Sequence, residues 1–192
     1  MRKSTITRKT SETDIQLSLC LDGGSISINT GIGFFDHMLH AFAMHAGMGL
    51  QIEAKGDLYV DAHHTVEDVG IVLGDALKEA IGSKAGIARY GTFTIPMDES
   101  LAFVSLDISG RPFLVFDAVF EEQMVGAMDT CLVEEFMRAL AMHAGITLHC
   151  KVIYGTNAHH KIEALFKALA HALRIACSQN GDTLLSTKGA LE

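Results

Sequence analysis

Every second position from Ile15 to Leu21 is apolar (Ile15, Leu17, Leu19, Leu21), with Gln16, Ser18 and Cys20 between them and Asp22-Gly23-Gly24 closing the run. A period of two that ends in turn residues is the pattern of a half-buried strand. Beyond residue 35 the period changes. Met38, Leu39, Phe42 and Ala46 recur at three- and four-residue spacing, the stripe of a helix over 35–46 that Gly47 can stop. The same reading predicts a strand over 48–55 and a long helix over 62–82. Strands follow near 91–97, 100–108 and 113–118, then a helix over 128–144, a strand over 146–154 and a helix over 157–179. Runs of strands and helices in this order predict an α+β fold with helices on one face of each sheet.

The pattern also repeats. FFDHMLHAFAMHAGMGLQI (34–52) resembles LVEEFMRALAMHAGITLHC (132–150), and DAHHTVEDVGIVLGDALKEAIG (61–82) resembles NAHHKIEALFKALAHALRIA (157–176). His45 thereby matches His143, and His63 matches His159. A duplicated order of helix, strand and helix predicts two similar halves, 1–90 and 91–192. No Pro-rich or Ser-rich linker separates them, so they are expected to form one fused unit.

A chain of 192 residues that is 48% hydrophobic can bury a substantial core. Its net charge of -8 argues against broad nucleic-acid binding, which needs clustered Lys and Arg, but leaves room for a local basic pocket that takes a small phosphate. No stretch is long and apolar enough to span a bilayer, and the N-terminal residues lack the apolar run of a signal peptide, so a cytoplasmic protein is expected. Cys20, Cys131, Cys150 and Cys177 lie far apart without a CxxC pair, the pattern of reduced and mostly buried thiols.

The chemistry concentrates in the duplicated HHxxE. His63 and Glu67 lie one helical turn apart on a shared face, and His64 projects roughly 100° away, so one motif can serve two metal ions. His159, His160 and Glu163 repeat the arrangement. Taken singly, a His pair near a helix start is more commonly a surface or capping feature. Duplication, with His37 and Glu135 at matching places on the upstream helices, favours metal binding. Mixed nitrogen and oxygen donors suit Mn, Fe, Co or Zn better than Ca or Mg. His45 and His143 lie two turns beyond His37 and Glu135 and can reach either substrate or the groups that support the metal ligands, whereas His40, His149 and His171 read as ordinary histidines.

With FFDHMLHAFAMHAG, DAHHTVEDVG, NAHHKIEALFKAL and a terminal STKG, the chain resembles the imidazoleglycerol-phosphate dehydratase family over essentially its whole length. The resemblance implies two similar halves, each a four-stranded sheet with two helices packed on one face. It further implies two Mn2+ or similar divalent ions per subunit and a 24-subunit assembly whose subunits share the sites. The family's metal ligands fall on His37, His63, His64, Glu67, Glu135, His159, His160 and Glu163; Glu135 stands where relatives carry His, so either it ligates through oxygen or His143 substitutes for it. Ala41 stands where some carry a substrate-contacting Gln. Its substrate contacts fall on Glu12, His45, Arg89, Arg111, Lys167, Ser186 and Lys188, of which the last five suit a phosphate monoester. The reaction that the resemblance implies is dehydration of imidazole glycerol phosphate to imidazole acetol phosphate during histidine biosynthesis, for which Glu12 or a metal-site carboxylate is the candidate general acid/base, making Glu12, Glu67, Glu163 and His45 the candidate catalytic residues.

Two rival readings stand beside this one. Two metals and basic residues would also serve a binuclear phosphate-ester hydrolase, and the duplicated motifs could merely staple subunits of a non-enzymatic protein. Neither a GxSxG elbow nor a Walker-type loop is present to support other hydrolytic classes.

Overall fold

The computed structural model describes residues 1–187. Strands β1 (Lys3–Lys9), β2 (Thr13–Cys20) and β3 (Ile26–Asn29) precede helix α1 (Gly33–Ala46), strand β4 (Gly49–Gly56) and helix α2 (His63–Ile81). The second half repeats the order. Strands β5 (Tyr90–Met97), β6 (Ser100–Asp107) and β7 (Phe113–Asp117) lead through a short hairpin, β8 (Met124–Val125) and β9 (Met128–Asp129), to α3 (Leu132–Ala144), β10 (Thr147–Tyr154) and α4 (Ala158–Ala176).

The two four-stranded sheets have matching topology, β1-β2-β4-β3 and β5-β6-β10-β7. In each, the edge strand before the helix runs parallel to the strand after it, and the remaining pairs are antiparallel. The alternation read from the sequence is the inward face: Ile15, Leu17 and Leu19 pair with Ala54, Ile52 and Leu50 on β4, and all six side chains are buried. Helix α2 lies on β1 and β2, α4 lies on β5 and β6, and the halves join where α1 packs on α4 and α2 on α3. Phe35, Phe136 and Phe166 fill that junction, with the Phe136 and Phe166 rings stacked at 5.2 Å.

The α+β architecture and the four-stranded sheets match the expectation, with three local departures. β1 is a strand whose inward positions are Ser4, Ile6 and Arg8. Ser4 Oγ donates to the Ala76 carbonyl at 2.8 Å and Arg8 bonds Asp68 at 3.0 Å, so polar anchors stand where alternation looks for apolar side chains. β3 has only four residues, too short for periodicity to declare. The helix expected over 128–144 starts at Leu132, because Met128 and Asp129 pair back onto Val125 and Met124 across a turn in which Gly126 adopts φ 59°.

Gly47 and Gly145 end α1 and α3 with φ of 68° and 67°, the left-handed conformation that favours glycine. Cys150 and Cys177 are buried, which pushes both thiols up to about 12, while Cys20 is half-buried and Cys131 exposed. Among the described residues no helix is long and apolar enough to cross a membrane.

Candidate metal centre

Each HHxxE motif opens a helix because the residues before it cap that helix. Asn157 Oδ1 accepts the His160 N–H at 3.2 Å, and Asp61 Oδ1 accepts the His63 N–H at 2.8 Å. Each motif therefore sits at a helix start, beside the tip of the first hairpin of its own half.

The crossing of α1 over α4 gathers one donor from the first half and two from the second. Side-chain donor atoms of His37, His159 and Glu163 all lie within 4.8 Å of one another, the one such group of three or more potential ligands among the described residues. Glu163 Oε2 is 3.2 Å from His159 Nε2 and 3.7 Å from His37 Nε2. Its other oxygen accepts from Lys167 Nζ at 2.7 Å. Burial raises the Glu163 pKa, but Lys167, His37 and His159 together outweigh that and hold it below the usual carboxylate range. The cluster is thus an anionic oxygen between two imidazoles, backed by an ammonium that occupies only the far oxygen. The Phe34 ring edge packs on His159 at 5.0 Å and forms an apolar wall.

The other expected ligands are more dispersed. His63 Nε2 stands 3.9 Å from Glu67 Oε2, both more than 40% exposed. Glu135 is turned toward Arg138 at 3.7 Å and is not gathered with His63 and Glu67. His64 Nδ1 bonds Asp57 Oδ2 at 3.0 Å and has Glu12 Oε2 at 3.8 Å. His160 Nδ1 bonds Glu99 Oε2 at 2.7 Å. These carboxylates raise the pKa of both imidazoles, chiefly through the hydrogen bonds that Asp57 and Glu99 accept from them.

Of the residues expected to hold substrate, Lys167 stands beside the cluster. His45 lies two turns along α1, with Nδ1 3.2 Å from Nε2 of His171. That contact was not anticipated, although His171 falls at the place in the repeat that Asp75 holds, and Asp75 Oδ1 lies 3.0 Å from His143 Nδ1. Arg89 and Arg111 converge on Asp107. Arg89 is buried, donates to both Asp107 oxygens at 2.7 and 3.0 Å and also to the Leu185 carbonyl, next to Ser186; Arg111 is half exposed at 3.9 Å. Lys188 lies outside the described residues. The Arg89 backbone N–H bonds the Ala176 carbonyl at the end of α4, whereas His159 begins that helix. At 1.5 Å per residue the two groups are about 25 Å apart within one chain.

A family model for imidazoleglycerol-phosphate dehydratase matches residues 30–173. The chain belongs to the imidazoleglycerol-phosphate dehydratase family. Relatives of that description from Bacillus cereus and Bacillus anthracis are 58% identical over the full length of both chains. The crystal structure of the Staphylococcus aureus dehydratase is similar with a TM-score of 0.85 at 47% identity, over 92% of this chain and 99% of that one. The Pyrococcus furiosus dehydratase, solved in complex with (S)-C348, is similar with a TM-score of 0.86 at 39% identity, over 97% and 100%. Membership of the imidazoleglycerol-phosphate dehydratase family makes the chain a hydro-lyase of histidine biosynthesis. Asp57 and Glu99 are the residues beside the histidines that motif reading did not single out.

Proposed function

We propose that the chain dehydrates imidazole glycerol phosphate to imidazole acetol phosphate in the cytoplasm, using two Mn2+ or similar divalent ions per subunit. The observation that carries the metal is the convergence of His37, His159 and Glu163 on one point. Two imidazole nitrogens and an ionised oxygen fit a transition ion, and Lys167 leaves the inward oxygen available. Bound there, such an ion supplies Lewis acidity and a template for the substrate's ring.

The hydrogen lost from the substrate is not next to a carbonyl, so an enolate route is closed. Electrons of the adjacent imidazole ring expel the hydroxyl instead, which leaves as water; loss of the neighbouring C–H proton then restores the aromatic ring and gives an enol that relaxes to the ketone. Glu12, half exposed beside His64, is the candidate to take up the neighbouring C–H proton, with Glu67, Glu163 and His45 lining the remainder. Arg111, Ser186, Lys188 and, on release from Asp107, Arg89 form the candidate phosphate clamp.

One chain does not complete this site. Three donors fall short of a four-coordinate shell, and Arg89 is about 25 Å from the His159 motif along α4. Self-association, in a 24-subunit assembly, brings His63, His64, Glu67, Glu135 and His160 of one copy to the residues of another. Because His37 comes from 1–90 and His159 with Glu163 from 91–192, the halves act as one unit.

The test is elemental analysis of the purified protein with a dehydration assay before and after stripping and restoring Mn2+. Bound metal and ketone formation that returns with it are expected. Activity indifferent to metal overturns the metal reading, and release of inorganic phosphate in place of ketone overturns the reaction.

A further inference from the structure

The second histidine of each motif is held by a carboxylate that the repeat does not account for. Glu99 at the β5–β6 hairpin tip accepts from His160, and its counterpart in the first half, at the β1–β2 tip, is Glu12. Yet His64 is bonded not by Glu12, 3.8 Å away, but by Asp57 from the loop between β4 and α2. Equivalent imidazoles thus have the same contact at the same ring nitrogen from residues at unrelated places in the fold. The contact is kept while its source changes.

The two carboxylates differ in how they are satisfied. Glu99 Oε1 accepts from Ser100 Oγ at 2.9 Å and from the backbone N–H groups of Asn157 and Thr156 at 2.9 and 3.2 Å, leaving Oε2 for His160. Asp57 is 11% exposed and makes its one side-chain hydrogen bond with His64; its Oδ1 is buried without a partner among the described residues. A buried carboxylate oxygen without a partner costs stability, which sets Asp57 apart from the fully satisfied Glu99.

An ionised carboxylate only accepts, so each ring must donate its Nδ1–H, and Nε2 of the neutral ring is left with a lone pair. Neither Nε2 has a hydrogen-bond partner among the described residues. The nearest recorded group, Asp98 Oδ2, is 3.6 Å from His160.

We propose that Asp57 and Glu99 are positioning residues that fix His64 and His160 in the tautomer with Nε2 free to ligate metal, and that Asp57, by taking this place, frees Glu12 for substrate. The consequence for metal rests on the metal reading above; the tautomer does not. A carboxylate behind a ligating imidazole also sets its orientation and raises its basicity, with 10- to 100-fold effects on metal affinity typical.

The test uses the full chain with 15N-labelled histidine, free of metal, at about pH 9 where neutral rings dominate. Magic-angle-spinning NMR reads each tautomer, with signals assigned by their loss in His64→Gln and His160→Gln. Nδ1–H is expected at both rings. In Glu99→Gln the amide oxygen keeps the helix-start bonds and its NH2 faces Nδ1, so His160 switches to Nε2–H. In Asp57→Leu the constraint on His64 is lost while the melting temperature holds or rises. Mn2+ titration followed by electron paramagnetic resonance then reads a 10- to 100-fold loss of affinity in each variant. Nε2–H rings in the wild type, or wild-type Mn2+ affinity in both variants, overturn the proposal. A wild type that binds no Mn2+ but has Nδ1–H rings sinks the metal reading alone and leaves the tautomer assignment standing.

Discussion

At the α1–α4 crossing His37, His159 and Glu163 converge, and Glu163 is 9% exposed with Lys167 behind it. At the equivalent α2–α3 crossing Glu135 replaces His37, Ile71 stands in the place of Lys167, and Glu67 is 43% exposed. The helices themselves meet differently. Gly70 and Gly74 of α2 occupy the places of Phe166 and Ala170 in α4, and a Cβ on Gly74 would lie 2.6 Å from His143 Cβ and 2.9 Å from the Leu140 oxygen. One copy of the duplicated frame brings backbones together; the other holds charge in a partly buried cleft. A repeat therefore fixes where side chains project, not how burial and neighbours tune them.

The largest expected effects set Glu163→Gln against Glu67→Gln. Under the metal reading both lose bound metal, and turnover falls to about a hundredth or below, since even an outer partner of a ligand is worth 10- to 100-fold. Stability separates them. Glu163→Gln leaves the Lys167 ammonium without its partner in a partly buried site and costs about 2 kcal/mol, whereas the exposed Glu67→Gln stays within about 0.5 kcal/mol. Urea unfolding of metal-free protein reads the difference, and equal losses in the two variants would erase the contrast between the crossings.

Next comes Gly74→Ala. The added Cβ meets backbone of α3, which cannot swing aside, so overpacking of about 3 kcal/mol exceeds the roughly 1 kcal/mol gained in helix propensity. The variant should unfold at lower urea concentration by about 2 kcal/mol. A Gly74→Ala protein as stable as wild type would mean that α2 and α3 do not approach this closely.

Much of this could be read in the chain because burial enforces period. Ile15, Leu17 and Leu19 announce β2, and the paired HHxxE sequences locate both helix starts. β1 escaped because Ser4 and Arg8 anchor it through hydrogen bonds, which leave no hydropathy signal. The candidate ligands were legible as residue types, but their gathering was not: that His37 meets His159 and Glu163 depends on α1 crossing onto the other half's helix. Asp57 and Glu99 were invisible for a related reason. Each sits in a loop whose path is set by strands and cap bonds, with no spacing relative to the histidine it serves. The repeat pairs His45 with His171 only once the His143–Asp75 contact has been seen, since His171 falls where Asp75 does and His45 where His143 does.

That last pair gives the smallest expected effect. Burial lowers the pKa of both His45 and His171; Lys167 adds to it at His45, as His45 and Arg174 do at His171. In the folded protein these rings resist protonation, while in the unfolded chain they take up protons around pH 6.5. The unfolded state thus binds more protons below that pH, so the pair's contribution is complete above about pH 6.5 and declines as pH falls toward the folded values. His171→Phe keeps an aromatic ring against Phe93, on which His171 now stacks at 4.4 Å, and removes one titrating group. Unfolding free energies of metal-free protein between about pH 7.5 and 5 should fall less steeply in this variant than in wild type. At the other crossing Asp75→Asn, which touches a half-exposed pair, should change stability by no more than about 0.5 kcal/mol. Parallel pH profiles for wild type and His171→Phe would show that the His45–His171 contact carries no acid sensitivity.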